Sequence, residues 1–378
     1  MQRSDAAGYP PTLNQANLLA EAGLRVTLLD GGAAPGALSS LHRDVRLVRP
    51  LLDGGISQTV AFVRATRAWM RDSGSRVCIA YDSAACAIVG STAFAGRKIL
   101  HFHEPPNDFS KAWTWRTRWR HACYDALSTR AARSADVVSM PDSHRAAVFH
   151  RENALRTAPV VIENYARRME TLPQGRLKAE LVARGIEARH IVLFQGSVAL
   201  NYHADDIVRS MPHWPQRSVM VFAGPVEPSL RRVLETIAAD NGLLDRVVFL
   251  GRIAYPDVLG YTVDADLALT FVKPVSFGFT YSAGASNKRF EAMACGVPQI
   301  TNAVPGAADL VEGRGVGACI DDATPERIGH AVRRLLEDEP ARLAMSAAAR
   351  RHHLAELNYD ARFAWLKNRI LAWSSGAR

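Results

Sequence analysis

The chain has 378 residues, 48% of them hydrophobic and 22% charged, which excludes a disordered or fibrous polymer and suits about two globular domains. With 46 Lys and Arg against 37 Asp and Glu, the net charge of +9 favours an anionic partner: a nucleotide phosphate, an acidic lipid surface or nucleic acid. No apolar run approaches the roughly 18 residues of a membrane span, and the five cysteines form neither a CxxC pair nor a metal-ligand pattern, so a cytoplasmic chain with reduced, packed thiols is expected.

The polar start Met1-Gln2-Arg3-Ser4-Asp5 is no signal peptide. Gly8-Tyr9-Pro10-Pro11 then leads almost at once into helix, followed by strand at residues 25–30. Further strands are expected at 77–82, 98–102 and 136–139, and a second series at 190–196, 218–224, 246–251, 266–270 and 298–301. Strands alternating with helices imply parallel sheets wrapped by helices, an α/β architecture. Two such series imply two Rossmann-like domains: residues 1–165, a charged joint at 166–189, and residues 190–340. Residues 341–378 read as helices packing back toward the first domain, with Trp365 and Trp373 as anchors. Parallel sheets bind ligands beyond the carboxyl ends of their strands, so the crevice is expected between the domains. The first domain lacks an evident opening strand, and an upstream start is the expectation, because an absent central strand leaves two edges open.

The most informative stretch is Ser286-Asn287-Lys288-Arg289-Phe290-Glu291-Ala292-Met293-Ala294-Cys295-Gly296-Val297-Pro298. A loop ends at Ser286, helix formers run to Cys295, Gly296 stops the helix, and an apolar strand follows. Lys288 and Glu291 stand three apart and share a face. An ionised Glu291 only accepts hydrogen bonds, which suits two ribose hydroxyls, while Lys288 suits phosphate. The competing reading is an intrahelical salt bridge on a solvated face.

Together with Phe194-Gln195-Gly196, Val221-Phe222-Ala223-Gly224, Val248-Phe249-Leu250-Gly251 and Gly315-Val316-Gly317, this block resembles retaining GT-B glycosyltransferases of family 4, or group 1, over nearly the whole chain. The resemblance implies transfer of a sugar from a nucleoside-diphosphate donor to an acceptor hydroxyl, with retention and without a metal or other cofactor. It makes Glu291 the ribose carboxylate, sets Lys288 close to the pyrophosphate and counts Asn287 among the donor-binding residues. Arg252 and Ile253 fall near the base. At Gly196 and Ser197 the alternatives are a phosphate-binding turn, helped by a following helix start, and a plain strand-to-helix turn. Two departures stand out: Ser197 occupies a place where the family commonly carries Arg, and Ala283 stands eight residues before Glu291, where the family commonly carries a first glutamate. The loop Ser282, Ala283 and Gly284 is then left to offer backbone N–H groups to the donor sugar.

In the first domain, Phe102-His103-Glu104-Pro105 follows a strand. His103 resembles the family histidine beside the transferred sugar, with Glu104 on the acceptor side; the alternative is a loop histidine satisfied by a carbonyl. Asp82 ends another strand and either touches the acceptor or caps a helix. Residues 111–120 mix Trp113, Trp115 and Trp119 with four cations, which admits peripheral contact with an anionic membrane, on the inner face. Trp115, Trp119, Ala122 and Ala126 line one stripe of a helix, and core packing is the expectation for it. The scattered basic residues fit no nucleic-acid reading element. Two further classes stay open: a GT-B-shaped nucleotide-sugar epimerase, and a degenerate, non-catalytic binding subunit.

Overall fold

Every strand anticipated from the sequence is present in the computed structural model, which describes residues 1–2, 6, 9–31, 41–49, 58–104 and 115–376. The chain divides into two units, the first holding Met1–Asn164, Ser276–Gly278 and Tyr359–Arg378, the second Tyr165–Val275 and Phe279–Asn358.

The first unit runs α1 (Pro10–Glu21), β1 (Val26–Leu29), β2 (Val45–Val48), α2 (Gln58–Asp72), β3 (Val77–Tyr81), α3 (Asp82–Ser91), β4 (Arg97–His101), α4 (Trp115–Ala132), β5 (Val137–Met140), α5 (Ser143–Asn153) and β6 (Val160–Val161). β1 and β2 form one parallel sheet, and β3-β4-β5-β6 another. The place of the missing first strand is taken by Met1 and Gln2. Gln2 bridges Asp30 and Tyr81 in parallel, its N–H donating to Leu29 O at 3.0 Å while Tyr81 N–H donates to Met1 O at 2.8 Å. These bonds reach only the carboxyl ends of the two strands, Leu29 to Gly31 on one side and Ile79 to Tyr81 on the other. Gly8 and residues 111–114 lie outside the described residues.

The second unit runs α6 (Leu177–Ala183), β7 (His190–Gln195), α7 (Ala204–Ser210), β8 (Ser218–Ala223), α8 (Pro228–Asp240), β9 (Val247–Phe249), α9 (Tyr255–Thr262), β10 (Leu267–Leu269), α10 (Phe277–Thr280), α11 (Asn287–Cys295), β11 (Gln299–Asn302), α12 (Ala307–Val311), β12 (Gly317–Ile320), α13 (Pro325–Glu337) and α14 (Glu339–Ala355), with α10 shared with the first unit. Its six strands are parallel, in the order β12-β11-β10-β7-β8-β9. The chain reverses its direction of strand addition between β7 and β10, and in such sheets the ligand crevice lies at that switch point, beyond the carboxyl ends of the strands. One core face carries Val192, Phe194, Met220, Phe222, Leu267 and Ile300 against α7 and α13.

Residues 166–189, expected as a joint, lie inside this unit: Leu177 and Leu181 of α6 are buried in a cluster with Ile191, Leu193, Val219 and Val221. Apolar residues at helical spacing made the segment part of a core despite its charge. Of the C-terminal helices, α14 belongs to the second unit and α15 (Tyr359–Ser375) to the first, where Tyr359 accepts a hydrogen bond from Gln15 at 2.8 Å.

Candidate functional site

α11 follows the switch point and is interior to its unit, every residue from Arg289 to Cys295 being buried. Gly296 ends it in the left-handed region (φ 70°), and Val297 N–H closes back on Ala292 O at 2.8 Å. A Cβ at Gly296 would also stand 2.9 Å from Arg350 Cγ, so the turn excludes a side chain on both counts. Phe290 packs on Tyr165 with ring centroids 4.1 Å apart. This anchoring fixes which way Lys288 and Glu291 point.

Both charged groups are out of water, which contradicts the solvated salt-bridge reading. Glu291 is 5% exposed, and burial pushes its carboxyl up to about 7 against the opposing pull of a Gln195 hydrogen bond and the Lys288 charge. The Lys288 ammonium is buried and makes no hydrogen bond. It stands 3.9 Å from the ring centroid of Phe194 and 4.0 Å from that of Tyr202. Two ring faces supply about 0.5–2 kcal/mol each, less than the hydration the ammonium gives up. Burial accordingly brings Lys288 down to about 7, with Glu291 opposing and Arg289 assisting. On the same first turn, Asn287 Oδ1 is buried without a hydrogen bond.

Gln195, the last residue of β7, bonds Glu291 on one side and Thr262 on the other. Its Nε2 donates to Glu291 Oε2, and its Oε1 accepts from Thr262 Oγ1 at 2.7 Å. Sequence reasoning passed over both partners. The available signal was a polar residue closing the otherwise apolar run Ile191-Val192-Leu193-Phe194 at a strand's carboxyl end.

Gly196 borders the same place, in the left-handed region (φ 96°): a Cβ there would lie 3.6 Å from Lys288 Cε. The chain bends at Gly196, with Gly196 N–H bonding Ala223 O and Val198 N–H bonding Pro225 O, both at 2.9 Å, and passes a single turn at Leu200–Tyr202 into α7, the helix expected from Ala204. Its first turn already carries Asp205 and Asp206. Ser197 is exposed. Ala283 is 2% exposed and packs with Val272, Val304 and Ala307, so the position of the family's first acid is an apolar core site here. Ser282 O and Ala285 N–H close a turn around Ala283 and Gly284 at 3.2 Å. Arg252 is exposed, whereas Ile253 packs against the Leu177 cluster and serves the core.

In the first unit, His103 is buried between the rings of Tyr9 and Tyr81, at 4.7 and 5.6 Å. Burial, reinforced by His101, holds it far below the usual imidazole range, hence neutral. Thr12 donates its only hydroxyl proton to Gln2 Oε1 at 2.6 Å, so the 3.0 Å contact between Thr12 Oγ1 and His103 Nε2 is a bond donated by the ring. Nδ1 is then the unprotonated nitrogen, buried and without a partner. The carbonyl of His103, not its ring, accepts from Arg145 at 2.9 Å. Glu104 is exposed, 3.9 Å from the Arg145 guanidinium. Asp82 adopts φ 66°, and its Oδ1 accepts from Ala85 N–H at 2.9 Å, which is the capping alternative.

The tryptophan stripe of α4 overturns the core-packing expectation. Trp115 and Trp119 are each 69% exposed, Ala126 and Leu127 are exposed, and the buried face is instead Asp125, Ser128, Thr129, Ala131 and Ala132. Arg118 and Arg120 flank the tryptophans in solvent. Among the described residues, no helix is long and apolar enough to cross a membrane.

Residues 182–352 match the family described as glycosyl transferases group 1. Over 161 residues the chain is 29% identical to a GDP-mannose-dependent monoacylated alpha-(1-6)-phosphatidylinositol monomannoside mannosyltransferase of Corynebacterium glutamicum, covering 41% of this chain and 40% of that protein. It is 30% identical over 191 residues to a D-inositol 3-phosphate glycosyltransferase of Salinispora arenicola, covering 47% and 41%. The chain thus spans about two fifths of the length of these curated relatives. Among solved structures, Anabaena HepE in complex with UDP-glucose superposes with a TM-score of 0.71 at 16% identity, covering 99% of this chain and 98% of that one. The fold is that of GT-B glycosyltransferases.

Proposed function

We propose, on the premise that the second unit belongs to the glycosyl transferases group 1 family, that this protein transfers a sugar from a nucleoside-diphosphate donor to an acceptor hydroxyl, with retention at the anomeric carbon. The observation that carries this reading is the Lys288 ammonium, buried without a hydrogen-bond partner one turn from a buried Glu291 at the switch point of a parallel sheet. A cation held out of water with no acceptor is an incomplete site, which an anion completes. Diphosphate oxygens on Lys288 and ribose hydroxyls on Glu291 satisfy both groups at once. The positive charge also stabilises the leaving phosphate as the sugar departs. Asn287 Oδ1 adds an acceptor beside them.

Neutral His103 offers its Nδ1 lone pair to a sugar hydroxyl. Retention and independence of metal follow from the family resemblance. The curated relatives are named for inositol-bearing acceptors, one of them lipid-linked, and the exposed Trp115 and Trp119 with Arg118 and Arg120 support a peripheral position on an anionic membrane, at its inner face.

The test is nucleotide release from UDP-glucose and GDP-mannose with and without inositol-bearing lipid and sugar-phosphate acceptors. Acceptor-dependent release that disappears in Glu291→Ala and Lys288→Ala is the expected result. An epimerised donor formed without acceptor and with little nucleotide released would identify an epimerase. Absence of any thermal shift with UDP or GDP would leave a non-catalytic subunit.

A further inference from the structure

We propose that Gln195 is a positioning residue that holds the Glu291 carboxylate ready for the donor ribose through an amide oriented by Thr262. This rests on the donor reading above. Gln195 is 8% exposed, and both ends of its amide are engaged: Thr262 Oγ1 on the oxygen at 2.7 Å, Glu291 Oε2 on the nitrogen. An ionised carboxylate only accepts, so the amide must turn its N–H toward Glu291 and its oxygen toward Thr262. Thr262 is itself 0% exposed and fixed at the end of α9, its Oγ1 lying 2.9 Å from Val258 O in the preceding turn.

The consequence is geometric. With Oε2 tied to β7, the carboxylate of α11 has one orientation, and Oε1 is the oxygen left for an incoming hydroxyl. Without Gln195 the buried carboxyl would have no donor of its own to favour its ionised form, and only the ionised form accepts at both oxygens. The titratable groups that interact with it are Lys288 and Cys295 on its own helix; Arg289 acts in turn on Lys288, and Arg350 of α14, which donates to Ala294 O, acts on Cys295. β7 and α9 present the neutral Gln195 and Thr262.

The experiment measures UDP and GDP affinity by calorimetry, across neutral pH, for the wild type, Gln195→Met, Thr262→Val and Thr262→Ser, with ligand-free melting curves as the check on folding. Expected are a loss of roughly ten-fold or more in Gln195→Met, the cost of a hydrogen bond to a charged group, and an acid limb of binding displaced to higher pH. Thr262→Val moves both in the same direction by less, and Thr262→Ser, which keeps the hydroxyl, binds more tightly than Thr262→Val. Should Gln195→Met fail to fold, the Thr262 pair carries the same test. Variants that match the wild type, or lose affinity with the acid limb unmoved, overturn the positioning role alone. A wild type that binds neither nucleotide overturns the donor reading and the positioning role with it.

Discussion

Lys288 and Glu291 lie one turn apart on α11, and burial has brought an amine and a carboxylic acid from opposite ends of the scale to the same value of about 7. Each group is destabilised in its charged form by the same dry surroundings, and neither is placed to relieve the other by a hydrogen bond. The donor proposed above, with its phosphates and ribose hydroxyls, would satisfy both groups.

Nucleotide affinity should therefore peak near neutrality. Ribose binding needs ionised Glu291, present above about 7, and phosphate binding needs protonated Lys288, present below about 7. Calorimetric titration with UDP or GDP should give a bell-shaped profile. Lys288→Met should remove the alkaline limb and weaken binding about 10- to 100-fold, the worth of one charge-assisted hydrogen bond. A flat profile in the wild type would refute both assignments.

The same burial makes the ligand-free protein pay for function in stability. The folded Glu291 value is raised from 4.5 to about 7, so the folded chain holds more protons than the unfolded one in that window, and stability falls as pH rises through it. Lys288 is lowered from 10.5 to about 7, so the unfolded chain holds more protons there, and stability rises with pH between those values. The combined cost is greatest near neutrality. Glu291→Gln should raise the neutral-pH stability of the ligand-free protein by about 1 kcal/mol, while abolishing nucleotide binding. Its gain should vanish below the ordinary carboxylate range; melting temperatures recorded against pH decide this.

Asp82 separates capping from chemistry. Asp82→Ala loses the bond to Ala85 N–H and keeps a left-handed backbone that alanine tolerates poorly, so unfolding in urea should show a loss of about 1–2 kcal/mol. Asp82→Asn keeps the side-chain oxygen and should lose less. Full stability with lost turnover in Asp82→Ala would restore an acceptor-binding role.

The exposed face of α4 should partition to membranes. Sedimentation with vesicles rich in anionic lipid should capture the wild type, more weakly as salt rises, whereas neutral vesicles should not. Trp115→Ser with Trp119→Ser should reduce binding by about ten-fold or more, from the lost burial of two indoles. Unchanged partition would mean that the tryptophans serve another purpose.

Much of this was legible in one dimension, because periodicity and punctuation are local. The apolar runs at 190–194 and 218–222, the stop at Gly296, and the pairing of Lys288 with Glu291 on one helical face all follow from spacing, and with them the α/β class and the identity of the two central side chains. β2, β6 and β12 escaped notice, since short strands of 2–4 residues carry too little pattern. What only the tertiary structure decided was environment. Whether Trp115 and Trp119 faced a core and whether Ala283 lined a loop or a core depended on what lay opposite them. So did the bond between Gln195 and Glu291, 96 positions apart. Sequence sets which groups a chain carries, whereas a pKa, an exposed face and a hydrogen-bond partner belong to neighbours that folding brings near from distant positions.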